Sequence, residues 1–393
     1  MKPATRKDLH VGFLDHIRGF AILYVFVFHC LGATYKMDQL AWSGWLRSWD
    51  VPGSFLAFLP ITWGWAGVPI FFVVSGFCIH LAYAKNERQG FGGFFTRRFF
   101  RIYPPYLIAL LFFAFILPST RLAFDKPADL SQFLSHLFLL ENLNYRWLFE
   151  INGAFWSVAV EVQIYLLYPA LIWIVRRQGW ARTLGFLGAL ELLMRLAAGY
   201  HFTRTGFKPP CWFIHSPVFF WFSWSIGAAL AHGYLNDTLP RLPKWSLRIC
   251  FLLVLATYGV KPLSYLAFPG TCLLTAGLIL RMLRKEISWN PLPAFFCNHL
   301  RTVGVLSYSV YLIHQPLMHV VRDLVQEYLP TVNTQPVIVM AICLVTWLPL
   351  LGLSWCFYQW VEMPSISLGK WWMSRRSAPA LNSLNASAPA LNP

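Results

Sequence analysis

Ten mainly apolar runs of bilayer-crossing length recur along the 393-residue chain, near 14–34, 62–84, 102–118, 155–175, 184–199, 212–231, 246–260, 265–281, 303–323 and 336–360. A crossing helix needs about 20 such residues to cover about 30 Å of hydrocarbon, where every backbone polar group must be bonded within the membrane-spanning structure. The pattern predicts an all-α fold, a polytopic transmembrane helix bundle of about ten spans. Composition agrees: 57% of residues are hydrophobic and 12% charged, which excludes a water-soluble globule. The 34 Phe, 19 Trp and 16 Tyr exclude a disordered chain.

Lys and Arg number 32 against 16 Asp and Glu, but they lie between the apolar runs and form no single stripe of the kind that binds nucleic acid. They read as a topology signal, since cytoplasmic loops collect positive charge. Placing the N-terminus inside sends the clusters at 85–101, 176–182, 241–248, 281–301 and 370–376 to the cytoplasm, with both termini there. The division expected is a cytoplasmic N-terminus (1–13), a membrane domain (14–364) and a cytoplasmic tail (365–393), largely disordered on its Ala, Pro, Ser and Asn content. The first apolar run lacks a small-residue cleavage site and is expected to stay as a helix. Leu130 to Leu140 is too short to cross and is expected to lie at the interface or partly inserted. Eight cysteines without a CxxC or metal-ligand spacing read as small buried residues, and no metal is expected.

Charges inside spans are costly and normally face the bundle interior or a watery cavity. In the first run Arg18 and His29 are eleven residues apart. At about 100° per residue they return to nearly one helix face, about 16 Å apart along the axis. Arg18 then lies near the cytoplasmic rim and His29 deep, where desolvation keeps an imidazole neutral and able to accept a proton. The plainer alternative is a histidine that only bonds a neighbouring helix. Glu161 lies about 9 Å below the outer surface in the fourth run. It either orients a histidine or pairs with an arginine; Gln163 and Tyr165 add hydrogen-bonding groups nearby. Glu191 and Arg195, four apart, read as a structural ion pair. In FFTRRFFRIYPP (94–105), Arg98 and Arg101 share a face if the segment is helical, and paired guanidiniums suit phosphate groups, the alternative being a positive-inside anchor. Gly67, Ser75 and Gly76 read as packing residues. Ser307, Tyr308, Ser309, Tyr311 and His314 form a polar-aromatic face that either lines a cavity or leaves His314 structural.

These segments, in this order, resemble the acyltransferase-3 family of integral membrane acyltransferases. The resemblance runs through FLDHIRG (13–19), GVPIFFVVSGF (67–77), RRFFRIYP (97–104), FWSVAVEVQIYLLYP (155–169), SYSVYLIHQPL (307–317) and the closing Tyr358, Val361, Glu362 and Pro364. It implies an O-acetyltransferase of the bacterial inner membrane, with acetyl-CoA as acyl donor and co-substrate. The acceptor it implies is a hydroxyl of a cell-envelope saccharide or lipid-linked glycan. Carried over by position, the catalytic set is His29, Arg18 and Glu161, and the donor-binding pair is Arg98 and Arg101. Two departures are Val162, where many members have a second acid, and His16, where they often have glycine. Trp42, Trp45, Trp49, Trp63 and Trp65 either stack on sugar faces or form an interfacial belt. Ten spans with buried polar residues also describe a transporter exporting a glycan or small solute, although no inverted repeat stands out.

Overall fold

The computed structural model describes residues 11–35, 60–287, 293–333 and 336–385, and every regular element among them is helical. In chain order the helices are α1 (Phe13–Tyr35), α2 (Gly67–Lys85), α3 (Gly90–Phe115), α4 (Pro127–Leu137), α5 (Phe155–Thr205), α6 (Cys211–Ile214), α7 (Trp221–Leu235) and α8 (Ser246–Gly259). They continue with α9 (Ala267–Leu283), α10 (Ala294–Val305), α11 (Ser307–Tyr328), α12 (Pro330–Asn333), α13 (Pro336–Val345), α14 (Trp347–Phe357) and α15 (Met363–Asn385). Seven helical stretches among the described residues are long and apolar enough to cross a membrane, and α8 is a shorter apolar helix. Large apolar side chains such as Phe99, Ile108, Phe112, Leu193 and Leu252 are exposed on the outside of the bundle. That distribution suits a hydrocarbon solvent and not water.

Two of the expected runs, 155–175 and 184–199, lie on the single 51-residue element α5. Gly179 divides it, with φ 80° and ψ 165°, a backbone state open only to a residue without Cβ. The Thr183 hydroxyl donates to the Gly179 carbonyl at 2.8 Å beside the break. The expected run 303–323 is likewise interrupted, with α10 ending at Val305 and α11 starting at Ser307. Helix α15 carries the first part of the 365–393 segment as regular structure to Asn385; residues 386–393 and 1–10 lie outside the described residues.

Glycines set the closest helix crossings. A methyl group on Gly227 of α7 would run into the Val73 carbonyl of α2, and one on Gly76 of α2 into the Trp224 carbonyl of α7. The two glycines let the backbones touch reciprocally, as expected where lipid supplies no hydrophobic drive between helices and close packing must. Replacing Gly227 with Ala is expected to force the helices apart and destabilise the bundle by about 1–3 kcal/mol. Thermal unfolding of the detergent-purified protein measures this, and an unchanged midpoint would contradict the crossing.

Helix α4 is the segment expected at the interface. Its polar residues Gln132, Ser135 and His136 are buried, whereas Leu130 and Phe138 beside them are 53% and 63% exposed. This inverted amphipathicity places the apolar face against lipid and the polar face against protein.

Candidate functional site

A cavity of about 480 Å³ opens between α1, α2, α3, α5 and α11. Its walls carry four cations, Arg18, Lys85, Arg98 and Arg101, against two carboxylates, Asp15 and Glu161. Asp15 stands 3.9 Å from Arg18 on the next turn of α1.

The three arginines of α3 separate because the segment is helical. Arg97 turns away from the cavity to Gln89, while Arg98 and Arg101, three residues apart on the cavity face, point in. Neither has a hydrogen bond or ion pair among the described residues, and the buried Nε of Arg98 is unsatisfied. Unpaired guanidinium N–H groups aimed into a cavity are donors without an acceptor, the usual condition of an anion site before its ligand arrives. Pro104 and Pro105 follow within a turn and sit inside α3. A proline cannot donate to the carbonyl four residues back, so Pro104 frees that of Phe100. The Ser365 hydroxyl takes it up. Tyr308 donates to the Ile102 carbonyl at 2.8 Å.

Ser157, Glu161 and Tyr165 follow one another at four-residue spacing on α5 and line the opposite wall. The Glu161 carboxylate accepts hydrogen bonds from Ser75 of α2 and from Tyr165. Trp224 donates to the Ser75 oxygen at 3.2 Å, extending the network into α7. Neither sequence alternative for Glu161 matches this arrangement: it pairs with no histidine, and no cation lies within ion-pair distance of it among the described residues. Hydroxyls hold it because α2 presents Ser75 where either alternative required a histidine or a guanidinium. Gln163, two residues on, points elsewhere and exchanges hydrogen bonds with Asn142 at 2.8 and 2.9 Å.

His29 is not part of the cavity wall. Its Nδ1 lies 3.0 Å from Nε2 of His314 on α11, with the rings 4.9 Å apart. His314 is fully buried and packs on Tyr311, the last aromatic of the cavity, which bonds Ser157 at 2.6 Å. The cavity therefore unites Arg18, Glu161, Arg98 and Arg101, while His29 stands behind it across the Tyr311–His314 layer. The sequence shows His314 on a polar-aromatic face, but its pairing with a residue 285 positions away has no local signature.

Glu191 and Arg195 do form a buried ion pair, at 2.8 Å, away from the cavity. Trp63 and Trp65 pack on Tyr258 with ring separations of 5.3 and 5.1 Å, which ties them to protein aromatics. Trp42, Trp45 and Trp49 lie outside the described residues. No three His, Cys, Asp or Glu side chains converge as metal ligands among the described residues.

The family model described as an acyltransferase domain matches residues 11–354. The chain belongs to the acyltransferase-3 family. Among curated relatives of this family member, peptidoglycan O-acetyltransferase OatA of Listeria monocytogenes is 24% identical over 68% of the chain and 47% of its own length. O-acetyltransferase PaAT-1 of Phomopsis amygdali is 24% identical over 93% of the chain and 85% of its own length. O-acetyltransferase OatA of Staphylococcus aureus is 29% identical over 32% of the chain and 24% of its own length. The chain thus spans about half the length of the Listeria relative. No solved structure matches it.

Proposed function

We propose that this acyltransferase-3 protein is an O-acetyltransferase, moving an acetyl group from coenzyme A to a hydroxyl of an envelope saccharide or lipid-linked glycan. The observation that carries the reading is the cation-rich cavity, with Arg98 and Arg101 held toward it and without a hydrogen-bond or ion-pair partner among the described residues. Ten passes, with α5 crossing twice about Gly179 and both termini cytoplasmic, would open this basic mouth to the cytoplasm, where acyl-CoA is made. A bacterial inner-membrane location belongs to the same reading.

In this reading the phosphates of the donor meet Arg98 and Arg101, Arg18 supports the chain of the donor further in, and the thioester reaches the Tyr311 end. His29 acts as general base: its free nitrogen takes the proton of the acceptor hydroxyl as that oxygen attacks the thioester carbonyl. The tetrahedral intermediate collapses, the C–S bond breaks, and the imidazolium returns the proton to the departing thiolate. Glu161, held by Ser75 and Tyr165, balances the cationic wall and fixes α2 against α5.

Membrane vesicles given acetyl-CoA labelled in the acetyl group test the proposal: an enzyme leaves label covalently on a glycan, whereas a carrier leaves it on small solutes. Arg98→Ala is expected to raise KM for acetyl-CoA at least tenfold, with kcat changed far less. A hydrogen bond to a charged group contributes about 1.5–3 kcal/mol, and tenfold corresponds to about 1.4 kcal/mol. An unchanged KM would remove Arg98 from the donor site.

A further inference from the structure

We infer that His314 is a positioning residue that sets the tautomer of His29, holding the proton of the His29 ring on Nδ1 and leaving Nε2 as the nitrogen able to accept one. The inference rests on the reading of His29 as the base and adds to it the residue that makes the base competent.

The argument follows the hydrogen bonds outward from α11. Nδ1 of His314 lies 2.9 Å from the Tyr311 carbonyl and 3.2 Å from that of Val310. Carbonyl oxygens only accept, so this nitrogen must carry a hydrogen. The ring has no exposed surface, and no carboxylate pairs with it among the described residues. A cation there would be buried without compensation, so the ring is neutral. In a neutral imidazole the second nitrogen is an acceptor, and Nε2 of His314 therefore presents a lone pair to Nδ1 of His29 at 3.0 Å. Nδ1 of His29 must donate. With Nδ1 protonated, the lone pair of His29 sits on Nε2. That nitrogen has no hydrogen-bond partner among the described residues, and the residue keeps some exposed surface.

The arrangement is a relay of fixed polarity, from two backbone carbonyls through His314 to His29. It assigns to a neutral imidazole the orienting task that a carboxylate performs in a catalytic triad. When Nε2 of His29 takes a proton, the Nδ1–H bond to His314 strengthens because its donor becomes cationic.

Two measurements on the full-length protein test this. In bilayers, ¹⁵N spectra of histidine-labelled protein, with the His29 signals assigned by their loss in His29→Ala, are expected to show Nδ1 protonated and Nε2 bare. In His314→Leu, which removes the acceptor, the His29 proton is expected to redistribute toward Nε2. In His314→Gln, whose side-chain oxygen restores an acceptor, it returns to Nδ1. In the transfer assay, His314→Leu is expected to lower kcat about 100-fold, to leave KM for acetyl-CoA within about twofold, and to be largely rescued by His314→Gln. A merely structural His314 would give no tautomer change and no rescue by glutamine. Nε2 protonated in the unaltered protein, or one tautomer shared with His314→Leu, overturns the inference. Failure of the catalytic reading shows separately, as transfer that survives His29→Ala while the spectra behave as stated.

Discussion

His29→Ala is expected to lower acetyl transfer by about 10²–10⁴-fold, the usual contribution of a positioned general base, while the protein stays in the membrane in normal amount. The fold should tolerate the change because His29 is half buried and bonds a single side chain, that of His314. The measurement is label incorporated into glycan by vesicles matched for protein content. KM for acetyl-CoA should move little, since in this proposal the guanidiniums that meet the donor's phosphates lie on α3 and not beside His29. Wild-type turnover in the variant would exclude His29 from the chemistry and shift attention to Glu161 within the cavity.

The second large effect concerns stability. Glu191→Ala is expected to destabilise the bundle by about 3–5 kcal/mol, because it leaves the Arg195 cation buried and uncompensated. The Glu191 carboxylate accepts from Arg195 at 2.8 and 2.9 Å and from the backbone and hydroxyl of Ser223 at 3.0 and 2.7 Å. Arg195 also donates to the Tyr265 and Phe219 carbonyls and lies 4.4 Å over the Phe219 ring. One pair thereby joins α5, α7 and the approach to α9. Removing both charges in Glu191→Leu/Arg195→Leu should recover much of the loss, since apolar replacements for a buried pair are often neutral. Thermal unfolding in detergent reads both variants, and a double variant as unstable as the single one would show that the hydrogen bonds, not the lone charge, dominate.

What the sequence disclosed depended on the range of the interaction. Helix identity, the Glu191–Arg195 pair and the shared face of Arg98 and Arg101 follow from spacings of three and four residues, and the structure contains them. The packing role of Gly76 was also legible, because a small residue in an apolar run implies a close neighbour. Partners across helices were not. Glu161 meets Ser75 and Tyr165 where a histidine or an arginine was expected, and His29 meets His314; both depend on how α1, α2, α5 and α11 rotate against one another. Helix ends were also hidden. The run expected over 102–118 is the second half of α3, which begins at Gly90 and passes through Pro104 and Pro105, with side chains from α11 and α15 bonding carbonyls around them.

That capping has a kinetic meaning. With Ser365 and Tyr308 clasping the rear of the arginine segment, the two guanidiniums hang from a stretch of backbone already immobilised before any anion docks. On the proposed donor role, little ordering entropy would be left to lose on capture, and affinity gained in this way would show as slower escape of a bound phosphate.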